Sequence, residues 1–252
     1  MNYFIVTGSS KGLGEATAKV LLKENHYLFC IARNENKDLE LAAKENGAEI
    51  TYLQEDLSKN ERVTGIIQYL LSKIEKDGQA EGIYLINNAG MVDPIKPAGK
   101  VDESSMTKAI HLNLLTPMLM TNEFIRLTED WDCKKVIVNI SSGAANRPIH
   151  GWNTYCTTKA GLDMFTKSVG LEQSQAAYPT TILSFSPGIM DTEMQGVIRS
   201  SDEADFSNVE TFKHYHEEGQ LRSPEFVAEK MINLIFSSTV ENGRVYDIKE
   251  FL

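Results

Sequence analysis

The chain has 252 residues, 42% hydrophobic and 24% charged, enough for one large or two small domains with a sizeable core. No window approaches about eighteen consecutive apolar residues, so no membrane span is expected, and a net charge of −10 argues against a nucleic-acid or anionic-membrane partner. Cys30, Cys133 and Cys156 are odd in number and widely spaced, which fits a reducing cytoplasm better than a disulfide framework.

Asn2 to Thr7 is a short apolar run of the kind a buried parallel strand shows, entered with no basic stretch or cleavage site that would mark a signal peptide. It leads into Gly8-Ser9-Ser10-Lys11-Gly12-Leu13-Gly14, and Glu15 to Leu22 then has helical periodicity. Strand, glycine-rich turn and helix form the context in which such a loop cradles phosphates, because glycine lets the backbone approach and the helix start offers N–H groups. Tight packing alone is the competing explanation.

His26 to Ile31 reads as a second strand, ending at Ala32 and Arg33. An acid near this point in a dinucleotide fold takes a ribose 2′-hydroxyl, whereas an arginine accommodates a 2′-phosphate. Ala32 followed by Arg33, with Lys11 in the loop, therefore points to NADP(H). A helix over 38–46 and a strand over 50–54 follow. Asp56 then lies where an acid can accept from an adenine amino group, or where it can serve the N-terminus of the segment starting at Ser58.

After an amphipathic helix over 60–76, Gly82 to Ile86 reads as a fourth strand, ending in Asn87-Asn88-Ala89-Gly90. A long helix is expected from Glu103 to about Glu129. Asn113 sits inside it against its propensity, which suggests either that its amide has a task or that it bends the helix locally. Val136 to Ile140 is the fifth strand, followed by Ser141 and Ser142. The next helix carries Tyr155 and Lys159, four residues apart and hence on one face. A cation favours a phenolate, and bringing a tyrosine from about 10 to about 7 takes roughly 4 kcal/mol.

Thr180 to Phe185 is a sixth strand, running into Pro187 and Gly188. From Met194 to about Gly219 the chain turns acidic, and an irregular, mobile lid is expected within about 191–222, a plain surface excursion being the alternative. A helix over 224–236 and a strand over 244–248 complete one domain spanning 1–252. His214 and His216 lack further ligands, so no metal site is expected. Cys156 reads as packing. Ile149, Trp152, Met190, Met194 and Phe206 are candidates for an apolar pocket.

The set Thr7-Gly8-x-x-x-Gly12-x-Gly14, Asn87-Asn88-Ala89-Gly90, Asn113, Ser142, Tyr155-x-x-x-Lys159 and Pro187-Gly188-x-x-x-Thr192 resembles the short-chain dehydrogenase/reductase family over essentially the whole chain. In finer detail the chain is similar to the sepiapterin-reductase-like branch, and to bacterial benzil reductases, through Leu13-Gly14-Glu15-Ala16, Gly151-Trp152, Tyr155-Cys156-Thr157-Thr158-Lys159 and Asp191-Thr192-x-Met194-Gln195. The resemblance implies a Rossmann-type doubly wound α/β sheet of seven mostly parallel strands, order 3-2-1-4-5-6-7, with helices on both faces. It implies Tyr155 as general acid, Lys159 lowering its pKa and holding the nicotinamide ribose, Ser142 polarising the substrate oxygen, and Asn113 anchoring a proton route. Gly8, Ser10, Lys11, Gly12, Leu13, Gly14 and Arg33 would hold the phosphates, and Asp56 and Leu57 the adenine. Asn88, Ala89 and Gly90 would border the ribose, with Pro187, Gly188, Ile189 and Thr192 at the carboxamide end. The function so implied is NADPH-dependent reduction of a ketone, a benzil-like 1,2-diketone favoured, by a cytoplasmic homodimer or homotetramer. A 3-oxoacyl thioester, pterin, sugar or steroid is the alternative substrate. A non-catalytic NADP(H)-binding regulator is opposed by the intact Ser142, Tyr155 and Lys159.

Overall fold

The structure, a computed structural model, describes residues 1–77 and 80–252. Its centre is a seven-stranded sheet in the order β3-β2-β1-β4-β5-β6-β7, and each of the six pairings is parallel. The chain enters β1 (Asn2–Thr7), α1 (Gly12–Leu21), β2 (His26–Ala32), α2 (Lys37–Glu45) and β3 (Glu49–Gln54). It continues through α3 (Val63–Asp77), β4 (Gly82–Asn87), α4 (Glu103–Ile110), a π-helical turn (His111–Leu115), α5 (Thr116–Leu127) and β5 (Lys134–Ile140). Next come α6 (Asn153–Gln173), β6 (Thr181–Ser186), α7 (Glu193–Arg199), α8 (Val209–Glu217), α9 (Pro224–Phe236) and β7 (Val245–Asp247).

Both sheet faces are covered, so the central strands are apolar on both sides. Alternate β1 residues serve opposite cores: Phe4 and Val6 pack with Leu13, Leu21, Val227 and Met231, while Tyr3 and Ile5 pack with Ile67, Leu70, Met120 and Phe124. Successive strands leave β1 in opposite directions, toward β3 on one side and β7 on the other. The crevice beyond the carboxyl ends of β1 and β4 is the topological switch point where such sheets bind ligands.

Two elements differ from the sequence expectation. The helix expected over 103–129 is interrupted by the π-helical turn that carries Asn113. The expected irregular lid instead forms α7 and α8, because Phe206, Val209 and Phe212 pack on Trp152 in a third apolar cluster. Backbone bonds close its neck, from Asp191 N to Arg222 O at 3.0 Å and from Arg222 N to Ile189 O at 3.2 Å.

Candidate active site

A cavity of about 510 Å³ runs along the carboxyl edge of the sheet, a size typical of cofactor sites. One end is built by the turn after β1. Gly8 and Gly12 take positive φ, +69° and +57°. A Cβ at Gly8 would lie 2.9 Å from Ala89 Cα, and one at Gly14 would lie 2.2 Å from Gly8 O. Asn88 clamps this turn: its Nδ2 donates to Thr7 O at 2.9 Å and Gly8 O at 3.2 Å, while the Thr7 hydroxyl accepts from the Asn88 and Ala89 amides at 2.9 and 3.0 Å.

The start of α1 is left uncapped. Its N-cap residue Lys11 provides no side-chain acceptor, whereas Asn36, Asp102 and Ser223 cap α2, α4 and α9. First-turn N–H groups with no side-chain acceptor, beside a glycine turn whose positive φ angles and close backbone contacts exclude side chains, fit a pyrophosphate.

At the end of the cavity near β2 and β3 stand Arg33, Asp56 and Leu57. Burial pushes the Asp56 carboxyl up, but hydrogen bonds from the Ser58 hydroxyl and amide, with the Arg33 and Lys108 charges, hold it below its usual range. Asp56 therefore lines the cavity and also caps its own turn. Arg33 makes no ion pair among the described residues. Lys11 is engaged by Glu193 of α7, so an ion pair joins the glycine turn to the 191–222 excursion.

The opposite wall carries Ser142, Tyr155 and Lys159. Tyr155 and Lys159 both lie on the buried face of α6, 8% and 5% exposed. Lys159 Nζ donates to Ile140 O at 2.7 Å and lies 5.8 Å from the centre of the Tyr155 ring. Burial pushes the lysine down to about 8, with the Asp163 charge pulling it back up. Burial also raises the Tyr155 phenol, against a lowering hydrogen bond with Ser142. For the phenol desolvation outweighs that hydrogen bond, and the Lys159 ammonium donates to the Ile140 carbonyl.

Asn113 stands behind the wall rather than in it. Its Nδ2 donates to Met91 O at 2.8 Å and its Oδ1 accepts from Met91 N at 2.9 Å, fixing the strand-end segment that includes Gly90. Gly14 and Ile189 also lie outside the lining: Gly14 faces Gly8, and the Ile189 carbonyl closes the neck of the excursion. Met190 and Met194 line the cavity, but Ile149, Trp152 and Phe206 are packed in the cluster behind Tyr155. Cys156 Sγ points to Arg147 O at 3.7 Å. Among the described residues no group of three or more His, Cys, Asp or Glu side chains could hold a metal, His214 and His216 included.

The family model described as short chain dehydrogenase matches residues 2–203. The chain belongs to this family. A benzil reductase ((S)-benzoin forming) of Bacillus subtilis (strain 168) is 45% identical over 252 residues, covering the whole of both chains. A sepiapterin reductase of Meriones unguiculatus is 28% identical over 254 residues, covering 96% of this chain and 94% of that one. The crystal structure of KRED1-Pglu enzyme superposes with a TM-score of 0.82 at 24% identity, covering 98% of this chain and 100% of that chain.

This short chain dehydrogenase is an oxidoreductase acting on C=O and CH–OH groups, in a family that works with NAD(H) or NADP(H). The uncapped α1 and its glycine cradle fit such a dinucleotide. Lining residues that sequence reasoning missed include Met91, Asp93, Lys108, Leu112 and Glu193. Met91 and Asp93 adjoin the Asn88-Ala89-Gly90 motif, but Lys108 and Leu112 reach the cavity through tertiary placement that no local pattern encodes.

Proposed function

We propose that this chain is an NADPH-dependent carbonyl reductase, and that a benzil-like 1,2-diketone is its favoured substrate. The observation carrying this reading is that one cavity joins an uncapped glycine-rich phosphate turn to Ser142, Tyr155 and Lys159. Full-length identity of 45% to a benzil reductase supports the substrate class. Arg33, unpaired among the described residues at the end of β2, supports a 2′-phosphate. Lys11 supports it less, being held by Glu193.

A dinucleotide held at the glycine turn would supply the hydride for the carbonyl carbon. The carbonyl oxygen then gains negative charge, and Ser142 and Tyr155 converge as hydroxyl donors to stabilise it. Tyr155, kept protonated by burial, transfers its proton to that oxygen. Lys159 stabilises the resulting phenolate through its charge, while its bond to Ile140 O fixes its position. Asn113 holds the Met91 backbone beside this wall, and we assign it the anchoring of the proton route. Met190 and Met194 provide apolar, deformable surface for an aromatic ketone. We place the enzyme in the cytoplasm as a homodimer or homotetramer. Exposed Met164 and Leu171, seven residues apart on α6, offer an apolar stripe for such pairing.

The test follows NADPH and NADH oxidation with benzil, sepiapterin and a 3-oxoacyl thioester, using wild type and Arg33→Ala. Benzil with NADPH should be fastest, and Arg33→Ala should weaken NADPH by about tenfold or more while sparing NADH, as loss of a charged contact predicts. Equal losses with both cofactors would remove Arg33 from 2′-phosphate recognition. No benzil turnover would remove the substrate assignment.

A further inference from the structure

Tyr155 does not stand on α6 unsupported. Trp152, the residue preceding the helix, is 5% exposed, and its ring meets the Tyr155 ring edge-on with centroids 5.3 Å apart. The same indole stacks on Phe206 at 4.9 Å and 19°, and Phe212 approaches it edge-on at 5.5 Å. Phe206 comes from the link between α7 and α8, and Phe212 from α8.

The backbone is keyed to the same contact. Gly151 has φ +82°, and a Cβ there would lie 2.2 Å from Asp205 O, so the 205–206 backbone seats directly on the turn feeding α6. Around this seat Lys96 N donates to Gly151 O at 2.9 Å, and Lys100 pairs with Asp205 at 3.4 Å. Trp152 Nε1 is buried with no hydrogen-bond partner among the described residues. An orphaned donor opposes stability, so this residue is held for the shape of its ring rather than for its polar atom.

We propose that Trp152 is a positioning residue for Tyr155, and that residues 205–212 act on the reaction by holding Trp152 in place. Tyr155 lies in the first turn of α6, where no side chain caps the helix and the backbone ladder is least complete. Ring packing then fixes the phenol together with its Ser142 hydrogen bond, and the excursion reaches the proton donor through the indole. This inference rests on the reading of Tyr155 as that donor.

The test compares Phe206→Ala, Phe206→Leu, Trp152→Ala, Trp152→Phe and Tyr155→Phe in the full-length enzyme, with benzil and NADPH. Each kcat is expressed per NADPH-binding site, counted by fluorescence titration. In Phe206→Ala kcat should fall about tenfold or more, with KM for benzil nearly unchanged, as misplacement of a reacting group predicts. Phe206→Leu should lose less, and Trp152→Phe should recover most of the kcat lost in Trp152→Ala. If Phe206→Ala yields no NADPH-binding protein, Phe206→Leu and the two Trp152 variants carry the comparison. A raised KM with unchanged kcat in the Phe206 variants, or Trp152→Phe as impaired as Trp152→Ala, overturns the proposal. Full turnover by Tyr155→Phe overturns the donor reading beneath it. An inactive Tyr155→Phe beside Phe206 variants with wild-type kcat overturns the positioning role alone.

Discussion

Lys159 is a cation kept where water is scarce, and that sets when it can act. An ordinary lysine holds its proton to about 10.5, but burial brings this one down to about 8. The folded enzyme therefore loses the charge as pH rises through about 8, while the Tyr155 phenol, raised by burial, keeps its proton there. The proposed reduction uses both, so kcat/KM for the ketone should fall on an alkaline limb near pH 8. Replacing Lys159 by arginine, whose guanidinium stays charged, should move that limb upward even though absolute activity falls. A limb that stays near pH 8 in Lys159→Arg would assign it to another group.

At the scale of elements, the π-helical turn His111–Leu115 departs most clearly from regular geometry, and such turns occur often at functional sites. It presents the Asn113 amide to both backbone groups of Met91. Asn113→Ala leaves those two groups unpaired at about 1–3 kcal/mol each. A drop of several degrees in Tm should follow, with weaker NADPH binding as the adjoining Gly90 wall shifts. Unchanged Tm and unchanged NADPH affinity would show that the paired bonds do not hold the wall.

The strands were legible because parallel strands buried on both faces are nearly unbroken apolar runs, as in Gly82–Asn87. The excursion was not. Its order comes from Phe206 and Phe212 meeting Trp152, which lies more than fifty residues earlier, and the local acidic composition gives no sign of that contact. Asn113 shows the same limit: its propensity flagged the position, but only the fold shows that Met91 is its partner.

Over the whole molecule, the sheet order places the ends of β1, β4, β5 and β6 along one crevice. Gly8, Asn88, Ser142 and Gly188, far apart in sequence, thereby share one cavity with Tyr155 and Lys159. The motifs at these strand ends were readable because each depends on local spacing. Gly14 and Ile189, which the resemblance implies at the cofactor, stand just outside the lining, where Gly14 faces Gly8 and the Ile189 carbonyl accepts from Arg222 N. A chain of net charge −10 can still take a polyanion here, because Lys11, Arg33, Lys108 and Lys159 balance Glu55, Asp56, Asp93 and Glu193 around the cavity, which keeps the chain's excess negative charge out of its lining.

In the proposed mechanism this cavity holds NADPH while Tyr155 protonates the reduced carbonyl. It is tested most directly by Tyr155→Phe, which removes one oxygen atom and keeps the ring that Trp152 packs against. NADPH binding, read by fluorescence titration, should remain close to wild type, and benzil-dependent NADPH oxidation should fall by about a hundredfold or more, as loss of a general acid predicts. Near-normal NADPH oxidation by this variant would contradict the account.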